Sequence, residues 1–376
     1  MTISEKDFFN RLTEQYEGQL PFVAYRKPAV SEKDDCDLFA IMQKDDTLYR
    51  VEDYTEHGFV FSPFDQAGDT VLIPVPVPGR AVSSGVLHTR CKGIKEETEK
   101  EWKATGDTLS GERHIELVKQ GVRAIKNGKL EKVVLSRKQQ VPLHQPDVIG
   151  IFRRLLGLYD DAFCYIWYHP KVGIWFGATP EILLRIRENR LYTMALAGTQ
   201  KFRGKEDVVW GSKEIREQQV VTDAIVDSLR FKVNRLKIAP AKTQRAGNLL
   251  HIKTDIEAEL AKDFKCGHIA SLLRELHPTP AICGFPRKEA MQFIREHEGY
   301  SRTYYSGFLG ELNMDSGRDG TEVGRNSAFY VNLRCMQVRG EEATLYVGGG
   351  ITADSDPEAE WQETVNKSET MRKVLV

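Results

Sequence analysis

The stretch FCYIWYHPKVGIWFGATPEILLRIRENRLYTMALAGT, residues 163–199, carries the strongest fold signal in the sequence. Short apolar and aromatic segments follow one another along it, and residues that favour turns, such as His169-Pro170 and Glu188-Asn189, separate them. Consecutive strands joined by short turns predict an antiparallel sheet. Elsewhere strands again come in runs and so do helices. This pattern indicates an α+β protein with a large antiparallel sheet, and not βαβ winding. The length allows either one large domain or two.

The composition is that of an ordinary globular protein. The 376 residues are 41% hydrophobic and 28% charged, which is enough to form a substantial core. With 53 basic and 54 acidic residues the net charge is −1, so we expect no binding to nucleic acid or to an anionic membrane. No apolar run is long enough to span a bilayer and residues 1–16 lack a secretory signal, so we expect a cytoplasmic protein. The six cysteines form no CxxC pair and are expected to be reduced.

Local patterns predict further elements. Residues 114–130 carry apolar side chains at helical spacing. The segment KVVLSR, from Lys132, predicts a buried strand. A helix is predicted from Ser212, with further helical segments to about Leu276. The last helix is predicted to begin within residues 355–357, Ser-Asp-Pro, which offer two capping side chains and a proline for the first turn.

Two of the predicted helices carry pairs of glutamates on faces that we expect to be buried. These pairs are Glu214 with Glu217 and Glu360 with Glu363, and the second pair shares its face with Lys367. Buried carboxylates must be paired or must coordinate a cation. Glutamates without histidine or cysteine describe a hard-cation site, which predicts Mg²⁺ completed by water and substrate oxygens. A solvated charged face with a Glu-to-Lys pair is the alternative for the last helix.

The segment YVGGGI, just before the last helix, offers backbone amides to an anion. Its glycines, Gly348 to Gly350, leave the N–H groups open to a ligand. The surrounding GGGITADSD matches neither GxGxxG nor GxxxxGK[ST], so a nucleotide loop is disfavoured. An anion cradle beside a cation site instead predicts a substrate with two anionic groups.

A series of motifs resembles, in the same order, those of the chorismate-utilising enzymes: KVVLSR, FGATPE, ALAGT, KEIREQ, LHPTPAICGFP, YYSGFLGEL, NLRC, GGGI and SDPEAEWQETVNK. This group includes isochorismate synthase, salicylate synthase, anthranilate synthase component I and aminodeoxychorismate synthase component I. The resemblance covers about residues 130–376. It implies the anthranilate synthase component I fold, an α+β fold in which a single large domain of two antiparallel sheets has outer helices. It implies that residues 1–110 are a divergent N-terminal part of the same fold and that residues 111–376 are the chorismate-binding catalytic region.

The resemblance also implies how the two carboxylates of chorismate are bound. The residues it assigns to Mg²⁺, which binds the ring carboxylate, are Glu217 and Glu363, with Glu214 and Glu360 nearby. The residues it assigns to the substrate are Gly198, Thr199, His277, Tyr305, Arg334, Gly348 and Lys367. Arg334 suits the enolpyruvyl carboxylate because a guanidinium pairs with a carboxylate through two hydrogen bonds. The simpler alternatives are aromatic packing for Tyr305, a structural role for His277 and a helical salt bridge for Lys367.

Two positions, Lys132 and Ala197, indicate the branch of the family. By resemblance, Lys132 is the base that activates water to attack ring carbon 2, and it lies between apolar neighbours that would favour its neutral form. Glu181 in FGATPE resembles the general acid that protonates the hydroxyl leaving ring carbon 4, which requires a raised pKa. Ala197 stands where aminodeoxychorismate synthases of one type carry a nucleophilic lysine. These residues imply an isochorismate synthase, for menaquinone or siderophore biosynthesis, with no glutaminase subunit expected.

Two other functions stay open at this point. A salicylate synthase shares the same base, acid and metal ligands, and goes on to eliminate pyruvate. A non-catalytic relative would keep the fold and the chorismate site without the reaction. The presence of Lys132, Glu181, Glu217 and Glu363 together favours a catalytic protein.

Overall fold

The computed structural model describes residues 2–28, 36–76, 84–91, 108–247, 249–261, 264, 267–314 and 326–375. The four strands predicted in residues 163–199 are present, but they divide between two sheets. With elements numbered in chain order, β8 (Phe163–His169) and β9 (Gly173–Thr179) belong to the first sheet, and β10 (Ile182–Arg187) and β11 (Arg190–Lys201) belong to the second.

The two sheets are antiparallel throughout their described strand pairs, as the sequence predicts. The remaining strands of the first sheet are β1 (Phe22–Arg26), β2 (Cys36–Gln43), β6 (Ser84–Cys91), β7 (Lys132–Pro142), β15 (Gly284–Phe285), β18 (Cys335–Arg339) and β19 (Glu342–Ile351), in the order β15-β7-β19-β18-β9-β8-β1-β2-β6. Those of the second are β3 (Tyr49–Arg50), β4 (Gly58–Ser62), β5 (Val71–Pro74), β12 (Asn234–Ile238), β14 (Leu249–Glu259), β16 (Phe308–Leu312) and β17 (Ser327–Val331), in the order β12-β14-β11-β10-β17-β16-β4-β5-β3. Strand β13 (Lys242–Ala246) pairs with β14.

An aromatic layer fills the space between the sheets. Phe163 of β8 stacks on Tyr330 of β17 with ring centroids 4.1 Å apart, and Tyr25 of β1 packs on Phe59 of β4 at 5.1 Å. Because side chains alternate along a strand, Ile166 of β8 points to the opposite face, where helices cover it. Strands buried on both faces are apolar throughout, which is why residues 163–199 show so few polar positions.

Helices cover the outer faces, as predicted. They are α1 (Glu5–Glu17), α2 (Thr108–Lys126), α3 (Val148–Leu158), α4 (Ser212–Leu229), α5 (His268–Leu276), α6 (Arg287–His297) and α7 (Pro357–Arg372). Helices α1 and α3 pack on the first sheet, and α4 and α5 pack on the second. Helix α7 begins where predicted, because the Asp356 side chain accepts a hydrogen bond from the Ala359 N–H and Pro357 occupies the first turn.

The prediction of further helical segments between α4 and about Leu276 is confirmed for α5 and wrong for the residues before it. Strands β12, β13 and β14 lie between α4 and α5. In β14, Ile256 and Ala258 are buried whereas Glu257 and Glu259 are exposed. That period of two is the signal of a strand with one covered face.

The N-terminal strands belong to both sheets. Strand β1 pairs with β8 in the first sheet, and β4 pairs with β16 in the second. The domain boundary near residue 110 stays a prediction, and residues 92–107 before it lie outside the described part of the chain. The thiols of Cys164, Cys283 and Cys335 are buried and free. Within the described residues, no helix combines the length and hydropathy needed to cross a membrane.

Candidate active site

Two neighbouring connections carry the chain from one sheet to the other. Glu181 lies on the connection from β9 to β10, and Arg334 lies on the connection from β17 to β18, where its φ of 46° makes a tight turn. The Val331 N–H donates to the Glu181 carbonyl at 3.0 Å, and the Ala178 N–H donates to the Arg334 carbonyl at 3.1 Å. These bonds hold both connections at the edge of one pocket, here called the central cavity.

The central cavity brings together most of the residues predicted from the sequence. Those that line it are Glu181, Gly198, Thr199, Glu217, Tyr305, Arg334, Gly348 and Lys367. They come from both sheets and from α4 and α7, so the cavity depends on the whole fold.

Glu181 has the properties of a carboxylic acid that keeps its proton near neutral pH. Its residue surface is 3% exposed. Burial raises the pKa of Glu181 to about 8, against the opposing effect of the nearby Lys132 and Lys367 ammonium groups. Desolvation is therefore the dominant cause, and Glu181 can donate a proton inside the cavity.

Arg334 is held by a histidine that the sequence analysis missed. Its Nη2 lies 2.7 Å from His251 Nε2, and its Nη1 donates to the Ala246 carbonyl at 3.1 Å. Since arginine has no acceptor, His251 Nε2 must accept, and His251 Nδ1 then donates to the Gly198 carbonyl at 2.9 Å. Burial and the Arg334 charge hold the pKa of His251 well below its usual value, so the ring is neutral. The available signal was a histidine inside the apolar run that forms β14.

Gly198 and Thr199 lie in a bulge of β11. The pairing of β11 with β14 shifts register between Ala197 and Gln200, so these two residues fall outside the ladder. Gly198 has φ of 72°, and a Cβ there would lie 3.0 Å from Glu214 Cβ. Glycine is therefore needed for both the backbone conformation and the close approach of α4.

Tyr305 and Lys367 both contact β19 at Gly348, the first of its three consecutive glycines. The Tyr305 ring stacks on Tyr346 at 5.5 Å, and a Cβ on Gly348 would lie 2.8 Å from the Tyr305 hydroxyl. Lys367 Nζ donates to the Gly348 carbonyl at 2.9 Å and to Glu363 Oε1 at 2.7 Å. Lys367 thus forms the helical pair named as the simpler alternative and also faces the cavity.

Lys132 and Glu217 form a buried ion contact. The Lys132 side chain is fully buried at the beginning of β7, and its Nζ lies 3.2 Å from Glu217 Oε1. A Cβ on Gly350 would overlap Glu217 Oε1 and lie 3.0 Å from Lys132 Cε. The absence of a side chain at Gly350 therefore leaves room for the contact between Lys132 and Glu217. Lys132 is not among the residues that line the central cavity. It lines a second pocket of about 450 Å³, here called the outer cavity, together with Glu217 and Lys213.

The two glutamates that α7 contributes to the predicted cation site, Glu360 and Glu363, converge above Gly349. A Cβ on Gly349 would lie 3.3 Å from Glu360 Oε2 and 3.4 Å from Glu363 Oε1. Burial and the charge of Glu363 raise the pKa of Glu360, whereas the pKa of Glu363 is lowered because Lys367 and Lys213 outweigh its burial. Burial alone would lower the pKa of Lys213, but Glu360, Glu363 and Glu217 raise it above its ordinary value. The Lys213 ammonium thus contacts Glu360 and is stabilised electrostatically by Glu363 and Glu217 as well.

The donor set fits a hard cation that has few protein ligands. Glu360 Oε2 is buried and makes no hydrogen bond to the described residues, so it is open to a cation. Within the described part of the chain, no three acidic, histidine or cysteine side chains are grouped to hold a metal ion together. Mg²⁺ is commonly bound by one or two carboxylates with water and substrate oxygens, which matches this arrangement. Glu214 is turned away, since its Oε2 lies beside Gly211 at the beginning of α4.

His277 does not line the central cavity. Its ring packs edge-on against Phe308 at 5.1 Å and faces Phe64 at 6.5 Å. Burial lowers the pKa of His277 to about 3, so the imidazole is neutral. This placement favours the structural alternative over a role in the ring pocket.

The fold and the central cavity define an antiparallel α+β protein with a buried, charge-lined site for a small anionic molecule. Residues 84–376 match the family described as chorismate binding enzyme. The chain is 34% identical over 283 residues to the "Salicylate biosynthesis isochorismate synthase" of Pseudomonas aeruginosa, covering 72% of this chain and 57% of that protein. It is 32% identical over 276 residues to "Isochorismate synthase MenF" of Escherichia coli, covering 69% and 59%. The chain therefore spans less than two thirds of the length of these relatives.

The chain belongs to the chorismate-binding enzyme family, which confirms the resemblance found in its sequence. A solved structure, MenF, the menaquinone-specific isochorismate synthase from Escherichia coli, aligns with a TM-score of 0.71 over 99% of both chains at 21% identity. That likeness confirms the predicted fold.

Proposed function

We propose that this protein is an isochorismate synthase, which converts chorismate to isochorismate. The observation that carries the proposal is Glu181, a buried acid with its pKa raised to about 8, in the cavity bordered by the Lys132–Glu217 contact. The names of the two relatives described above support the same reaction. The magnesium dependence, the cytoplasmic location and a role in menaquinone or siderophore biosynthesis, all predicted from the sequence, are part of this proposal.

In the proposed reaction, water adds at ring carbon 2 and the hydroxyl at ring carbon 4 leaves. For this step Lys132 must first give up the proton that it carries as an ammonium group. In its neutral form Lys132 takes the proton from the attacking water, and Glu181 gives its proton to the departing hydroxyl, which leaves as water. The two groups reach the substrate from different elements, Lys132 from β7 and Glu181 from the connection after β9. Ala197 provides no amine, which disfavours the amine-forming branch of the family.

The polar residues around the cavity would bind the two carboxylates. Arg334, fixed by His251, and the Tyr305 hydroxyl would hold the enolpyruvyl carboxylate near the Gly348 backbone. As the resemblance implies, Glu217 and Glu363 would hold Mg²⁺, with Glu360 nearby, and the ion would supply a positive charge to neutralise the ring carboxylate. Because the Glu214 carboxylate lies beside Gly211, Glu214 is near the proposed Mg²⁺ ligands without being one of them.

The test is incubation of the protein with chorismate and Mg²⁺, with the products separated by chromatography. We expect isochorismate alone. Salicylate with pyruvate would instead identify a salicylate synthase, and unchanged chorismate with measurable binding would identify a non-catalytic relative. Lys132→Ala should abolish turnover, whereas Lys129→Ala, at an exposed lysine of the outer cavity, serves as the matched control.

A further inference from the structure

Lys213, in the first turn of α4, lies where a bound cation would be expected. Its Nζ donates to Glu360 Oε1 at 2.5 Å, and the same oxygen accepts from Ser355 Oγ at 2.7 Å. Glu360 is 2% exposed, and its Oε2 makes no hydrogen bond to the described residues. Glu363 Oε1 approaches the same point above Gly349. An ammonium group therefore already occupies one side of a buried carboxylate pair that is open on the other.

We propose that the Lys213 ammonium is an internal counter-ion of this carboxylate site, and that it must move into the outer cavity before a divalent cation can bind. The inference rests on the proposed function, since it concerns the same magnesium site. It adds that Lys213 and the divalent cation compete for the same carboxylates. Lys213 pairs with the buried carboxylates when no metal is bound, and it thereby sets the metal concentration that the protein requires.

Charge and space both favour this competition. Two cations within a few ångströms of one carboxylate repel each other strongly in a partly buried site. Glu363 keeps its contact with Lys367 in either case. Leaving Glu360 without any cation would be costly, since buried charges must be paired. The Lys213 side chain is 22% exposed, so its long flexible stem has somewhere to go. The outer cavity is lined by both Lys213 and the exposed Asp354, whose carboxylate could receive the displaced ammonium.

The test is calorimetric titration of the full chain with MgCl₂ alone, without chorismate. Lys213→Met should bind Mg²⁺ at least about ten-fold more tightly than wild type, because no ammonium has to be displaced. Lys213→Arg keeps the charge and should bind close to wild type. Lys129→Met removes a lysine from the same cavity and should leave the affinity unchanged. In thermal unfolding, Lys213→Met should have a lower Tm without metal and should gain more from added MgCl₂ than wild type.

Unchanged or weaker Mg²⁺ binding by Lys213→Met would overturn the inference, and so would the absence of Mg²⁺ binding by every variant. Neither result decides the proposed function, because that is judged by the product that wild-type protein forms from chorismate. If wild-type protein leaves chorismate unchanged while Lys213→Met binds Mg²⁺ more tightly, the proposed function fails and the internal counter-ion stands.

Discussion

Replacing Glu181 with glutamine should stabilise the folded protein at neutral and alkaline pH, and it should also abolish the activity. Burial raises the pKa of Glu181 from 4.5 to about 8. Because the folded-state pKa is the higher one, the unfolded chain releases this proton first, so stability that is present below pH 4.5 is lost as the pH rises toward 8. Linkage puts this cost at about 3 kcal/mol at pH 7 and about 5 kcal/mol at pH 9. Glutamine fits the same space without a charge and avoids the cost.

Urea unfolding of wild type and Glu181→Gln at about pH 5, 7 and 9 measures the effect directly. The variant should gain free energy of unfolding relative to wild type as the pH rises, and its chorismate turnover should be lost at every pH. Glu188→Gln, at an exposed glutamate in the turn between β10 and β11, is the matched control, for which no such pH-dependent gain is expected. A difference between Glu181→Gln and wild type that stays flat from pH 5 to pH 9 would refute the argument that burial keeps Glu181 protonated.

Further substitutions test the geometry of the cavity. Gly350→Ala should push the Glu217 carboxylate away by about 1 Å and lower turnover at least about ten-fold. Gly85→Ala is the control, because a Cβ there meets nothing within 4 Å, and it should be neutral or slightly stabilising. Equal turnover in the two variants would contradict the role given to Gly350. Lys132→Met should reduce kcat by about 10² to 10⁴ while chorismate still binds in equilibrium dialysis, and loss of binding alone would argue against its role as base. Arg334→Lys should raise KM about ten-fold or more with a small change in kcat, because lysine lacks the planar fork; an unchanged KM in steady-state assays would remove Arg334 from the substrate site.

The sequence predicted the elements of the fold better than their assembly. Strands β8 to β11 were predictable because apolar segments alternate with turn residues, but nothing in that pattern says that the chain changes sheets at Glu181. The change depends on long-range pairing of β9 with β18 and of β10 with β17. The prediction of further helical segments after α4 missed strand β14, although the exposed Glu257 and Glu259 mark a period of two.

The candidate site was predictable where local chemistry specified it. Glu360, Glu363 and Lys367 share one face of α7 by helical spacing alone, and their contacts follow from that spacing. His251 was not predictable in this way, since its role depends on the register that places it beside Gly198 and Arg334. Lys213 is a similar case: its partner Glu360 lies on another helix, and only the packed structure brings the two together.

The aromatic layer between the sheets also supports the connection that carries Glu181. Phe163 pairs with Thr179 at the end of β9, and Tyr330 pairs with Ile182 at the beginning of β10, so the two stacked rings lie on either side of that connection. Packing of the sheets thereby fixes the backbone on both sides of the acid. Gly348 of β19 lines the central cavity from the first sheet and Gly198 of β11 lines it from the second, so the cavity lies between backbone segments of both sheets. A core residue can then influence the site without touching the substrate, because interiors packed this closely transmit small displacements.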